Sequence, residues 1–85
     1  MQQFTHTIRD ELGLHARPAA LLVRLSTQYK SRITLTKGEK VADAKGIFAV
    51  MTLGVKCGDT LTVTVEGEDE LEAAEALREF FQRQL

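Results

Sequence analysis

The 85-residue chain carries 11 Lys and Arg against 12 Asp and Glu, a formal net charge of −1, so it has no polybasic surface for nucleic acid or anionic lipid. Its single cysteine, Cys57, excludes an intramolecular disulfide and reads as a small hydrophobe in a loop, and no CxxC or clustered ligand set points to a metal or another cofactor. No apolar run is long enough to span a bilayer, and Met1-Gln2-Gln3-Phe4 lacks the basic start and apolar stretch of a signal peptide. The expectation is a monomeric cytoplasmic protein with one domain over residues 1–85.

Gln2 to Ile8 alternates apolar and polar residues, a half-buried strand with His6 facing the core beside Phe4 and Ile8. Asp10 and Glu11 follow as turn residues before Gly13. From Ala16 to Tyr29 the apolar positions 18, 22, 25 and 29, flanked by Ala19 and Val23, recur at helical spacing. Pro18, the only proline, fits a helix only in its first turn, which fixes the onset near His15. Arg32 to Lys37 is a second strand with Ile33 and Leu35 inward, and Lys37-Gly38-Glu39 turns the chain into a short third strand, Lys40 to Asp43. Gly46 to Leu53 is a brief helix ended by Gly54. Gly58-Asp59 leads into a fourth strand, Thr60 to Glu66, with Leu61, Val63 and Val65 inward. Beyond Gly67, Leu71, Ala74, Leu77 and Phe81, with Ala73 and Phe80 beside them, mark a last helix, with Asp69 as its cap and Glu72 reaching back to it. The acidic residues crowded after residue 65 otherwise form a solvated face.

The order β-α-β-β-α-β-α favours an α+β sandwich: an antiparallel four-stranded sheet with three helices on one face and the other face in solvent. Threonines at 34, 36, 62 and 64 suit that wet face.

The segment Gly13-Leu14-His15-Ala16-Arg17-Pro18-Ala19-Ala20 is where chemistry concentrates. It puts an imidazole at the start of a helix, whose first N–H groups lack intrahelical partners and whose dipole places partial positive charge there. Anions bind such ends. A lone pair of His15 is placed to attack phosphorus, the Ala16 and Arg17 amides to hold the phosphoryl oxygens, and the Arg17 guanidinium to bind them in its fixed fork. The positive helix end also favours the neutral, nucleophilic imidazole, by roughly 0.3–1 kcal/mol at an exposed site.

Gly13-Leu14-His15-Ala16-Arg17-Pro18-Ala19 resembles the active-centre motif of the histidine-containing phosphocarrier (HPr) proteins of the bacterial phosphoenolpyruvate-dependent sugar phosphotransferase system. The likeness continues through Ala44-Lys45-Gly46-Ile47-Phe48-Ala49-Val50-Met51-Thr52-Leu53-Gly54-Val55, similar to the family's second-helix signature, and covers essentially the whole chain. The resemblance implies an open-faced β-sandwich, phosphorylation of His15 by enzyme I, and onward transfer to IIA components: a relay rather than a stand-alone enzyme. A regulatory or signalling carrier of a non-sugar branch, nitrogen-linked or in dihydroxyacetone phosphorylation, is the alternative.

Ile47, Phe48, Val50, Met51 and Leu53 are too many apolar residues for one stripe of a two-turn helix, so some face outward. The expected docking surface is Ala20, Arg24, Ile47, Phe48, Met51 and Thr52, with Arg17, Arg24, Lys45 and Lys56 steering acidic partners. Gly46 departs from many of these carriers, in which the position is a regulatory serine phosphorylated by an ATP-dependent kinase; glycine has no hydroxyl for that switch. Two other readings fit poorly. An acylphosphatase needs an asparagine and the chain has none, and an RNA-recognition sheet needs exposed aromatics where these strands offer Thr, Ile, Leu and Val.

Overall fold

The computed structural model describes residues 1–85. Its elements are β1 (Gln2–Thr7), α1 (Ala16–Thr27), β2 (Arg32–Lys37), β3 (Lys40–Asp43), α2 (Ile47–Thr52), β4 (Thr60–Glu66) and α3 (Glu70–Gln84). The strands form one antiparallel sheet in the order β1-β4-β2-β3. β4 therefore separates β1 from β2, and β2 separates β4 from β3. Each helical crossover, through α1 and through α2, thus joins parallel strands across an intervening one, the split βαβ arrangement.

Alternation along each strand decides which face is dry. Phe4 pairs with Val63, His6 with Leu61, Ile33 with Val65 and Leu35 with Val63, so these side chains meet on the helix-covered face. On the other face Thr5 and Thr36 flank Thr62, and Gln3 and Thr34 flank Thr64. Threonine keeps the β-branched shape that suits a pleat and presents a hydroxyl to water. Two cross-strand bonds tie that face, Gln3 Nε2 to Thr64 Oγ1 at 3.1 Å and Thr7 to Thr60 hydroxyls at 2.9 Å.

Nineteen buried residues form one core between sheet and helices. Phe81 sits at its centre on α3, edge-on to Phe4 and Phe80 at 6.1 and 5.8 Å and against His6 at 5.4 Å. His6 does face the core as its alternation predicts, and its Nε2 is buried without a partner. Arg78 lies over the Phe4 ring at 5.0 Å and covers this end from solvent.

Three expectations about packing need correction. Along α1 the buried side chains are Pro18, Ala19, Leu22 and Ser26, while Leu25 and Tyr29 are half-buried and pack against the edge of the core; Ser26 lies four residues after Leu22, on the same face of the helix. On α3 Leu71 is 69% exposed, and the inward residues are Ala73, Ala74, Leu77 and Phe81. Cys57 is exposed in the turn before β4, with only a 3.7 Å contact from its sulfur to the Arg9 carbonyl, and is not a packed hydrophobe.

The start of α3 also differs from the expected capping box. Asp69 is the cap position but its carboxylate makes no cap bond. It instead accepts from the Lys30 and Ser31 amides, at 2.8 and 2.9 Å, and from the Ser31 hydroxyl. Glu70, not Glu72, reaches back, to the Gly67 amide at 3.1 Å, and it pairs with the Met1 ammonium at 2.6 Å. Gly67 makes this crossing possible. It has φ +151°, and a Cβ there would lie 2.7 Å from the Ser31 Cα.

Candidate functional site

His15 is the N-cap of α1, in extended conformation with φ −83° and ψ −179°, and its side chain caps nothing. The first helical bond runs from the Ala19 amide to the His15 carbonyl at 2.9 Å. Pro18 has no N–H, and the Ala16 and Arg17 amides have no acceptor. Two open donors and the helix dipole therefore stand at the imidazole. The predicted constellation is assembled: His15, Arg17, Pro18 and Leu21 share a shallow cavity of about 360 Å³ with Asp10 and Gln84.

Gly13 shapes the approach. It has φ +67°, and a Cβ on it would fall 2.5 Å from the Val55 carbonyl oxygen and 2.7 Å from the Lys56 Cα, so only glycine lets the loop press against the segment after α2. The Leu14 amide donates to that Val55 carbonyl at 3.1 Å, and Leu14 is buried. The histidine is thus delivered from a fixed loop.

Asp10 is more than the turn residue read from sequence. Its Oδ1 accepts the Leu12 amide at 2.8 Å, the expected turn, while its Oδ2 lies 3.8 Å from His15 Nε2. Gln84, at the end of α3, was not foreseen either. Contacts across 73 to 76 residues bring it in: the Arg9 and Asp10 amides donate to the Leu85 carbonyl at 2.6 and 3.2 Å, and Arg9 Nη2 donates to the Gln82 carbonyl at 2.6 Å. No local pattern announces such a contact.

Arg17, Ala20, Leu21 and Arg24 lie on one exposed stripe of α1 at helical spacing. On α2, which packs against α1, Phe48 is 85% exposed, Met51 40% and Ile47 38%, while Val50 is buried. Outward apolar residues are therefore present as predicted, and Leu12 and Leu21 add to them. The Thr52 hydroxyl is turned back to the Phe48 carbonyl at 2.6 Å. A second shallow groove, about 400 Å³, runs from Phe48, Ala49, Thr52 and Leu53 to Lys40 and Val41. Lys45 does not join the cations near His15. Its Nζ donates to the Tyr29 carbonyl at 2.7 Å, at the opposite end of α1, where a cation meets the negative end of the helix dipole. Gly46 is the N-cap of α2, and a Cβ there would sit at ordinary contact distance, 3.7 Å, from the Ala49 Cβ and the Asp43 carbonyl oxygen, so a larger residue is not barred by the backbone around it.

No group of three or more His, Cys, Asp or Glu residues is disposed to hold a metal ion. No helix is long and apolar enough to cross a membrane.

A family model described as the PTS HPr component phosphorylation site matches residues 2–83. The chain belongs to the HPr family of phosphocarrier proteins. Among HPr relatives, the phosphocarrier protein HPr of Lysinibacillus sphaericus is 50% identical over 76 residues, 89% of this chain and 84% of that protein. The crystal structure of an HPr from Thermoanaerobacter tengcongensis superposes with a TM-score of 0.92 at 40% identity, covering 96% of this chain and 92% of that one. The Bacillus subtilis protein Crh, solved as a swapped dimer, matches with a TM-score of 0.78 at 39% identity over 100% and 98% of the two chains. The antiparallel sheet with helices on one face expected from the element order, and the open-faced sandwich implied by the resemblance, are the HPr fold, and the phosphotransferase-system role that the resemblance implies is the family's role.

Proposed function

We propose that His15 accepts a phosphoryl group from phospho-enzyme I and passes it to a IIA protein or domain, with Arg17 and the Ala16 and Arg17 amides holding the phosphoryl oxygens. The observation that carries this reading is the imidazole at the N-cap of α1 with two unpartnered amides beside it. Phosphoryl transfer has a loose transition state that demands placement and charge stabilisation more than acid–base machinery. A helix end and a guanidinium supply both.

Ala20, Arg24, Ile47, Phe48, Met51 and Thr52 form the docking surface, extended by Leu21. Its apolar centre and cationic flank suit brief engagement of acidic partners, and methionine adapts its shape to more than one of them. Residues 1–85 act as one domain, a cytoplasmic monomer that binds its partners in turn. The swapped dimer of Crh is the competing assembly. Sedimentation of the purified chain separates them: a monomer sediments at the sequence mass of 9.5 kDa, and a dimer at twice that mass overturns the proposal.

The functional test is incubation with phosphoenolpyruvate and enzyme I. The chain is expected to acquire one acid-labile, base-stable phosphate that is absent from His15→Ala. Phosphate retained in that variant removes His15 from the relay.

A further inference from the structure

We propose that Lys37 is a positioning residue of the relay: its ammonium clamps the segment of residues 54–59, and that segment is the frame on which the His15 loop is set. The proposal rests on His15 being the phosphoryl carrier.

Lys37 ends β2, where alternation places it on the same face as Ile33 and Leu35. Its Nζ donates to the Gly54 carbonyl at 2.7 Å and meets the Asp59 carboxylate at 3.1 Å. Asp59 Oδ2 also accepts the Lys56 amide at 2.8 Å, and the Asp59 amide donates to the Lys56 carbonyl at 3.0 Å. One ammonium therefore joins the two ends of the segment and ties both to the sheet. Gly54 follows the end of α2, which has no basic residue in its last turn, so Lys37 also supplies the cation that a helix C-terminus favours. The ion pair is about one-third exposed, and its own contribution to stability is small.

The His15 loop hangs from the residues between those two ends. The Asp59 carbonyl accepts the Ile8 amide at 2.9 Å and the Gly58 amide donates to the Ile8 carbonyl at 2.8 Å, which fixes the chain as it leaves β1. The Val55 carbonyl accepts the Leu14 amide at 3.1 Å, with Gly13 pressed against Val55 and Lys56, which fixes it as it enters α1. Leu14 precedes His15, so a shift of the segment is carried to the imidazole and to the Ala16 and Arg17 amides. Lys37 itself lies outside the His15 cavity, and its effect passes through the segment. Transfer is sensitive to such a shift, because reacting groups displaced by about 1 Å lose up to ~100-fold in rate.

Lys37→Met removes the ammonium and keeps the length of the stem, and Lys37→Arg restores a cation whose fork can serve both acceptors. Initial rates of phosphorylation by phospho-enzyme I are measured against the concentration of each variant. In Lys37→Met kcat is expected to fall about tenfold with KM unchanged, and in Lys37→Arg to return to within about twofold of wild type. Amide NMR should show the Leu14, Ala16 and Arg17 signals displaced in the methionine variant and restored in the arginine one. A urea curve establishes that each variant is folded; if Lys37→Met is not, Asp59→Asn, which removes the other charge of the pair, is read for kcat, KM and the same three amides. An unchanged kcat in a folded variant, a rise in KM alone, or a loss that arginine does not restore overturns the role of Lys37. A wild-type chain that takes no phosphate, or phosphate that persists in His15→Ala, instead overturns the reading beneath it.

Discussion

Arg17 presents a guanidinium that no acidic partner in the chain neutralises, on the same exposed stripe as Ala20, Leu21 and Arg24. Its charge is therefore available to an incoming phosphoryl group. Arg17→Ala is expected to slow onward transfer to a IIA acceptor by about 10–100-fold, the equivalent of the ~1.5–3 kcal/mol of a hydrogen bond to a charged group. The urea midpoint should barely move, because the residue is exposed. Stopped-flow transfer and an unfolding curve on one preparation check both statements, and unchanged transfer would remove Arg17 from the site. The motif made His15 and Arg17 legible in sequence, since Gly13 and Pro18 mark the helix onset within a few residues. Asp10 was visible there only as a turn. Its placement beside His15 depends on the bond to the Leu85 carbonyl, 75 residues away, and local patterns carry no information at that separation.

The elements were legible because each signal is periodic or punctuated. The alternation in Arg32 to Lys37 and Thr60 to Glu66, with the turn signal that precedes Lys40 to Asp43, returns the observed strands. Errors fell where a tertiary partner displaced a local one. Asp69 and Glu72 have capping-box spacing, yet Asp69 has three donors from Lys30 and Ser31 to satisfy, so the reach-back passes to Glu70. Lys45 reads as a surface cation near the site, and the Tyr29 carbonyl takes it instead. At this scale Gly13 is the most sensitive joint between loop and helix. Gly13→Ala forces a Cβ against the Val55 carbonyl and the Lys56 backbone at a positive φ, and is expected to cost about 1–3 kcal/mol of stability. It should also slow phosphorylation of His15, which the displaced loop carries. Equilibrium unfolding reads the first effect and the enzyme I reaction the second; a variant as stable as wild type would show that the loop does not depend on this close approach.

Across the whole molecule, acid stability rests on a few carboxylates that tie distant segments together. The Asp69 carboxyl is held below its usual range by the Ser31 hydroxyl and the Lys30 amide, and Asp59 by the Lys56 amide and by Lys37. Lys37 bonds Asp59 at 3.1 Å and the Gly54 carbonyl at 2.7 Å, joining β2 to the segments that flank the α2–β4 connection. Because each folded-state value is depressed, the stabilisation is complete above the ordinary carboxylate range. It is lost as pH falls through the lowered values. The urea midpoint is therefore expected to hold above about pH 5 and to drop steadily below pH 4. Asp69→Asn should lower the midpoint at neutral pH and flatten the acid limb, and an acid limb as steep as wild type would show that Asp69 contributes nothing to it.

The central claim is that the open end of α1 holds a phosphoryl group on His15. Phosphorylation by a small chemical donor, without enzyme I, followed by amide and phosphorus NMR, tests it directly. The account predicts one phosphohistidine, at residue 15, with the Ala16 and Arg17 amide protons moving downfield as they bond the new oxygens while His6 on β1 stays unmodified. Phosphate on His6, or phospho-His15 with those two amides unmoved, would contradict it.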